Sequence, residues 1–289
     1  MKRALLGLVG AGIGRSISPA MHEAAGRALG IDVRYHLIDA DLTGLRAAAL
    51  PQLFAGLKLA AFTGVNVTFP FKQAATSCLD RIEGAAQALG AVNTIVVRDG
   101  RLIGHNTDYT GFIGGWKRSF GDRNPGIVAL VGAGGVGRAI AHALAALGAS
   151  ELRIADLDSA RAAALCEALR GRHPALRATV APDAASACAG ATGVVNATPV
   201  GMSAFPGTPV AAALMEGREW ATDAVYTPLE TQFVAAARRS GATVMTGQEL
   251  AIGQAVDAFA LFFGRPAPQE VMREAFLAAI EPDVSGSVN

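Results

Sequence analysis

The run Val131-Gly132-Ala133-Gly134-Gly135-Val136-Gly137-Arg138-Ala139-Ile140 narrows what this chain can fold into more than any other stretch. Apolar Ile127 to Val131 leads into it and an alanine-rich segment ending at Gly148 follows, so strand, tight loop and helix come in that order. This is the start of a dinucleotide-binding βαβ unit. Gly132 allows the tight turn, Gly134 lets backbone N–H groups approach a pyrophosphate at the helix N-terminus, and Gly137 permits close packing of helix on strand. A second apolar run, Leu152 to Ala155, delivers Asp156 about twenty residues past the last of these glycines, where a carboxylate accepts both hydroxyl protons of an adenosine ribose.

At 289 residues the chain exceeds the size at which single cores stop growing, so two domains are expected. Charged residues make up only 17% and the net charge is +1, which provides no basic field for nucleic acid. A small neutral or anionic ligand fits better. The three cysteines, Cys78, Cys166 and Cys188, lack C-x-x-C spacing and read as small buried apolar residues of a reducing compartment. The five histidines show no ligand spacing, so no metal site is expected. Met1-Lys2-Arg3 and the apolar residues after it could pass for a secretory signal, but glycine interrupts the stretch repeatedly. No segment approaches about 18 uninterrupted apolar residues, so no membrane span is implied and a cytoplasmic protein is expected.

Residues 1–104 alternate apolar runs with helical segments: Leu5 to Val9, Ala20 to Leu29, Arg34 to Ile38, Leu42 to Phe54 and Phe62 to Val67. That βαβαβ order predicts a largely parallel sheet covered by helices. Val92 to Val97 and Leu102-Ile103 flank Arg98-Asp99-Gly100-Arg101, a hairpin signal through Asp-Gly. From Ile127 the strands Leu152–Ala155, Thr179–Ala181, Gly193–Asn196, Trp220–Val225 and Thr243–Met245 read as one doubly wound sheet. Helices after Gly247 and from about Pro268 to Ile280 are expected to pack back on the first domain. The fold class is therefore α/β in two domains, the first a mainly parallel α/β domain and the second a Rossmann-type doubly wound domain. Helix Gln254–Phe263 is apolar enough for a homodimer interface, with an internal core as the commoner explanation.

Gly10-Ala11-Gly12-Ile13-Gly14 is a second glycine loop after a strand, yet its continuation differs. Arg15-Ser16-Ile17-Ser18-Pro19 offers two hydroxyls suited to a carboxylate, with Pro19 in the first turn of a helix and Ser18 as its N-cap.

Several motifs now stand in one order: Ser16-x-Ser18-Pro19-x-Met21-His22, Asn66-Val67-Thr68-Phe69-Pro70-Phe71-Lys72, Gly90-Ala91-Val92-Asn93-Thr94 and Gly104-His105-Asn106-Thr107-Asp108, followed by the loop at 132–137, Asn196-Ala197-Thr198-Pro199-x-Gly201-Met202 and Tyr226-x-Pro228-x-x-Thr231. From about residue 5 to 280 the chain resembles the shikimate dehydrogenase family, and more closely its NAD-dependent quinate/shikimate branch. The resemblance implies a substrate-binding and catalytic domain over 1–106 completed by helices 255–280, an NAD-binding Rossmann domain over 107–254, and a flexible tail over 281–289. It implies reversible oxidation of a ring hydroxyl of shikimate or quinate to the 3-dehydro ketone, with substrate and nicotinamide meeting in a cleft between the domains. By the same resemblance Lys72 and Asp108 form the catalytic pair, a lysine beside an aspartate being able to hydrogen-bond a hydroxyl and relay its proton. Ser16 and Ser18 would hold the substrate carboxylate, Asn66, Thr68, Asn93 and Gln254 the ring hydroxyls, and Tyr226 a further contact. The cofactor would lie against Gly132, Ala133, Gly134, Gly135, Val136, Gly137, Asp156, Arg161, Asn196, Thr198, Met202 and Gly247.

Cofactor choice turns on Asp156-Leu157-Asp158, where NADP-using relatives typically carry Asn-Arg-Thr. A carboxylate welcomes the ribose diol and repels a 2′-phosphate, so NAD is favoured over NADP, with Arg138 and Arg161 near enough to soften the preference. Asp158 reads instead as a helix N-cap. Gly12-Ile13-Gly14-Arg15 stands where biosynthetic relatives usually carry Pro-x-x-His, and the Gln254 motif also departs from theirs, both as in the quinate/shikimate branch. Ser18 keeps a shikimate-like choice where that branch can carry threonine. The rivals are an NADP-dependent biosynthetic enzyme and a non-catalytic ligand sensor; retention of both Lys72 and Asp108 speaks against the sensor.

Overall fold

The computed structural model describes residues 2–280. The chain opens with β1 (Lys2–Gly10), α1 (Ser18–Ala28), β2 (Ile31–Asp39), α2 (Ala40–Thr43), α3 (Leu50–Leu59), β3 (Phe62–Val67), β4 (Arg81–Ile82), α4 (Ala85–Leu89), β5 (Thr94–Arg98) and β6 (Arg101–His105). These strands form a six-stranded sheet in the order β2-β1-β3-β5-β6-β4. β1 runs parallel to β2 and β3, while β5 is antiparallel to both β3 and β6. The β5–β6 turn places Asp99 and Gly100 at φ +51° and +72°, the left-handed pair that a two-residue hairpin requires.

One expectation fails here. The segment 42–54 is not a single helix, because Gly44 ends α2 in the left-handed region at φ +68° and Pro51 sits in the first turn of α3, where its missing N–H costs nothing.

The rest of the chain supplies α5 (Thr107–Phe120), β7 (Ile127–Val131), α6 (Gly135–Ala146), β8 (Glu151–Ala155), α7 (Ser159–Arg172), β9 (Arg177–Val180), α8 (Ala184–Cys188), β10 (Gly193–Asn196), β11 (Trp220–Asp223), α9 (Gln232–Arg239), β12 (Thr243–Met245), α10 (Gly247–Phe263) and α11 (Gln269–Ile280). Strands β7 to β12 form a second six-stranded sheet, every pair parallel, in the order β12-β11-β10-β7-β8-β9. This is the doubly wound arrangement, with the chain reversing its direction of travel beside β7.

The chain divides into one compact unit of residues 1–107 with 254–289, and another of residues 108–253. In the first, Leu50, Phe54, Val65 and Ile95 fill one core while Leu6, Val33, Ala258 and Phe262 fill another. In the second, Trp116, Ile140, Leu165 and Trp220 form one core, with Val194, Phe233 and Val234 in the other. Gly193 is required at its position because a Cβ there would run into the Trp220 indole. Ala255, Ala258, Phe259 and Phe262 of α10 are buried, so this helix's apolar face belongs to the interior of its own unit and gives no argument for a homodimer. The tail 281–289 lies outside the described residues. Among the described residues no helix is long and apolar enough to cross a membrane.

Candidate active site

Both units have a switch point, where one strand has neighbours reached in opposite directions, and ligands bind at the C-terminal ends of strands there. In the first unit that point lies beside β1 and β3. Gly10, the last residue of β1, has no room for a Cβ against the Thr68 side chain, while Thr68 N–H donates to the Val9 carbonyl at 2.9 Å. Ser18 does not cap α1. Ile17 occupies the cap position, Ser18 begins the helix, and the Ser18 N–H donates to Ser16 Oγ at 3.3 Å. Its side chain is thereby released from capping.

The glycine loop 10–14 is closed by protein. Asp39, buried at the end of β2, accepts from Gly12 N at 3.1 Å, Ile13 N at 2.9 Å and Asp41 N at 3.0 Å. A loop whose N–H groups already hold a carboxylate has no vacancy for phosphate.

Next to it runs a polar row. The Tyr35 phenol donates to Asn66 Oδ1 at 2.8 Å. Asn66 Nδ2 donates to the Asn93 carbonyl at 3.3 Å and Thr94 Oγ1 at 3.0 Å. Asn93 Oδ1 accepts from Thr94 Oγ1 and from Thr107 N at 2.7 Å. A continuous hydroxyl–amide chain thus links Tyr35 to Asn66, Thr94 and Asn93. Lys72, half-buried, follows Phe71, and its carbonyl accepts from Val92 N at 2.9 Å. Gln254 lies on α10 in the same unit.

Residues missed by sequence reasoning are Tyr35, Thr94, Thr107 and Asp39. Tyr35 passes for one more inward residue of an alternating strand, and nothing local distinguishes it. The neighbouring Asn93-Thr94 and Asn106-Thr107 pairs are the one available signal.

Behind Tyr35 lies His22, also buried, its ring stacked on the phenol at 5.0 Å and 20° and on Phe259 at 6.0 Å. Burial pulls the His22 pKa down to about 3, so the imidazole is a neutral plate.

In the second unit the switch point lies beside β7 and β10. Gly132 has φ +103° and no room for a Cβ beneath the Ala197 carbonyl; at Gly137 a Cβ would collide with the Gly132 carbonyl. Gly134 starts α6 without a side-chain cap, leaving first-turn N–H groups with no intrahelical acceptor. Gly135 and Val136 form that turn, and nothing lies within 4 Å of a Cβ placed on Gly134. The helix end therefore has both the donors and the clearance for a pyrophosphate. Asp156 pins the loop, accepting from Ala133 N at 2.7 Å and Asp158 N at 2.8 Å. Asp158 caps α7 through Ala160 N and Arg161 N. Arg161 stands 3.6 Å from both carboxylates, an electrostatic tie that competes with any grip on a 2′-phosphate.

Asn196 and Thr198 are engaged in hydrogen bonds within the protein. Asn196 is fully buried, donating to the Val200 carbonyl and Asp223 Oδ1, both at 2.9 Å, and accepting from Thr198 N and Thr198 Oγ1. Thr198 Oγ1 in turn accepts from Val200 N at 3.2 Å. Both side chains hold the loop in shape; Met202, 40% exposed, is the part of it turned outward. Asp223, another residue not anticipated, ends β11 and accepts from Asn196, Val225 N and Thr231 Oγ1. Burial pushes its pKa up to about 6 despite those three donors. Gly247 begins α10 hard against the Val225 carbonyl, so its role is close packing. Asp108 is buried in the first turn of α5, and Tyr226 is partly exposed ahead of α9.

Of the two switch points, one is closed by Asp39 beside a row of hydroxyls and amides suited to a small polar ligand, and the other is open at a helix N-terminus suited to a dinucleotide. Residues 8–95 match the family model described as the shikimate dehydrogenase substrate binding domain, and residues 249–275 that of the shikimate 5′-dehydrogenase C-terminal domain. A quinate/shikimate dehydrogenase (NAD(+)) of Corynebacterium efficiens is 45% identical over 95% of this chain and 98% of its own. A shikimate dehydrogenase (NADP(+)) of Streptomyces avermitilis is 44% identical over 90% of each. Among solved structures, quinate dehydrogenase from Corynebacterium glutamicum in complex with NAD superposes with a TM-score of 0.88 at 41% identity, over 96% of this chain and 100% of that one. The chain belongs to the shikimate dehydrogenase family.

Proposed function

We propose that this protein catalyses the reversible NAD-dependent oxidation of shikimate and quinate to their 3-dehydro ketones. The observation that carries the reading is Asp156, tied by two backbone N–H groups beside the open end of α6 and with Arg161 drawn to it. A carboxylate so restrained cannot swing away to admit a 2′-phosphate, whereas it can accept a diol. The relatives that carry NAD in their names support the same choice.

Gly132, Gly134 and Gly137 fit a pyrophosphate by the clearances described, and NAD, when bound, supplies the hydride acceptor. The chain's own residues do the rest. Ser16 and Ser18 donate to the substrate carboxylate; Asn66, Thr68, Asn93 and Gln254 orient the ring hydroxyls, with Tyr226 as a further contact. Lys72 hydrogen-bonds the reacting hydroxyl and takes up its proton as the carbonyl forms, and Asp108 supports the positive charge that Lys72 then carries. Reliance on a soluble nicotinamide pool and three free cysteines support a cytoplasmic protein, and an NAD-linked oxidation suits catabolism of the acids.

The test is initial rates of the purified protein with shikimate and quinate, each against NAD and NADP. Turnover of both acids with NAD is expected; turnover of shikimate with NADP alone would move the protein to the biosynthetic branch. Lys72→Ala should lower kcat by about 100-fold or more while NAD binding persists.

A further inference from the structure

Asp223 ends β11 with no exposed surface and receives three hydrogen bonds: Asn196 Nδ2 and Val225 N donate to its Oδ1, both at 2.9 Å, and Thr231 Oγ1 donates to its Oδ2 at 2.6 Å. All three donors are neutral. An amide in its place would keep every one of these contacts. Its oxygen would accept from Asn196 and Val225, and its nitrogen would donate to Thr231 Oγ1, which accepts from Val234 N and has a second lone pair. Holding the loop in shape therefore does not require a negative charge, and burying a charge without a cation is costly.

Among the described residues no cation pairs with Asp223. The neighbouring strands β10 and β12 and the loop 196–202 carry no ionisable side chain. On α9, which begins at Thr231 and covers this face, Arg238 and Arg239 lie in the last turn, and Arg238 pairs with Glu230. Against the opposite face, α5 brings Trp116 onto Trp220 and carries Asp108, Tyr109, Lys117 and Arg118, the last paired with Glu249 of α10. Tyr226 follows in the loop after β11. Burial holds the Asp223 pKa up to about 6, so the group is still ionised at neutral pH.

Its place in the sheet supplies the missing cation. The functional reading above, on which this inference rests, puts the adenosine ribose at Asp156 beyond β8 and the pyrophosphate at α6 beyond β7. In the strand order β11-β10-β7-β8, the other half of a dinucleotide then continues over the ends of β10 and β11, strands spaced about 4.8 Å apart. That half carries the nicotinamide, whose ring is positively charged when oxidised and neutral when reduced. We propose that Asp223 sets the balance between the two redox forms of the cofactor, its buried carboxylate favouring the cationic ring of NAD over the neutral ring of NADH. A positive charge arriving over β11 offsets the cost of the buried carboxylate, and a neutral ring does not. The reduced cofactor is thereby released more readily than the oxidised one, which suits a protein that oxidises an alcohol.

Dissociation constants for NAD and NADH, measured by titration calorimetry without substrate in wild type and Asp223→Asn, test this. At about pH 8 the variant should bind NAD about tenfold more weakly, with its Kd for NADH within about twofold of wild type. In wild type the preference for NAD should shrink by about threefold between about pH 8 and pH 5.5, because the ionised form that favours NAD is lost as pH falls through the Asp223 pKa. In the variant the ratio of the two constants should stay level over that range. Weakening of both cofactors by one factor would make Asp223 a part of the scaffold alone and overturn the proposal, as would an unchanged ratio. Should Asp223→Asn not fold, the wild-type pH series decides, and an equal response of NAD and NADH overturns the proposal. Failure of wild type to bind either cofactor overturns the functional reading, and the discrimination with it.

Discussion

Each unit contains a strand, a glycine-rich loop and a helix in that order, β1 to α1 in the first and β7 to α6 in the second, and each carries an aspartate at or just beyond the end of the next strand. The resemblance ends at what the aspartate does. Asp39 accepts three backbone N–H groups and fills its loop, whereas Asp156 accepts two and leaves the first turn of α6 unoccupied by protein. The loop in the first unit also runs on from Ala11 to Ile17 before α1 begins, while α6 begins directly after Gly134. A short loop leaves helix N–H groups at the strand ends, where an anion can meet them. A long one carries them away and presents side chains, here Ser16 and Ser18. The same local motif thus yields an open helix end in one unit and a closed loop leading to two serines in the other.

The largest expected difference lies in the glycines. Gly137→Val forces a side chain against the Gly132 carbonyl and should destabilise the second unit by about 3–5 kcal/mol, read as a collapse of the thermal midpoint or loss of soluble protein. Retention of full stability would show that helix and loop can separate freely.

Acid should then weaken both units, because each buries a neutral histidine. His22 and His142 have pKa values of about 3 and 4, lowered chiefly by burial, against about 6.5 in the unfolded chain. The unfolded state takes up protons first, so the stability these residues contribute is complete above pH 6.5 and falls as pH drops toward 4 and then 3. Urea midpoints measured across that range should decline, and His142→Gln should flatten the upper part of the decline. A flat profile in the wild type would place both rings in water.

The aspartates provide the sharpest comparison. Asp39→Asn substitutes a donor where three N–H groups need acceptors and should cost about 1–3 kcal/mol in unfolding, with no change in cofactor ratio. Asp156→Asn should raise kcat/KM with NADP relative to NAD by about tenfold, equivalent to about 1.4 kcal/mol. If the ratio moved with Asp39 instead, the assignment of the two loops would be reversed. The smallest effect is expected at Gly14→Ala, with nothing within 4 Å of the new Cβ: a change within about 0.5 kcal/mol, in contrast to Gly137.

All strands but the two-residue β4 were legible because short apolar runs bounded by glycine and charge have few other uses, and the Asp99-Gly100 hairpin because its backbone needs φ > 0. The break at Gly44 was harder to read, since glycine and proline inside a helical pattern are tolerated as often as they terminate one. At the site, individual residue types were legible and their wiring was not. Asn196 and Thr198 read as ligand contacts, and the structure adds that they shape their own loop, a role hidden in the sequence because Asp223, which holds Asn196, ends a different strand. Tyr35 and Asp223 escaped notice for the same reason: a polar residue in an apolar strand has no meaning until its partner on another strand is known.

By itself the sequence determined the α/β class, the glycine loop ahead of α6 and membership of the shikimate dehydrogenase family, carried by motifs that are each local along the chain. Only the tertiary structure decided which glycine loop is open and which buried amides are already satisfied. Those outcomes depend on acceptors and donors brought together from distant strands, and hydrogen-bond capacity is a property of the assembled site.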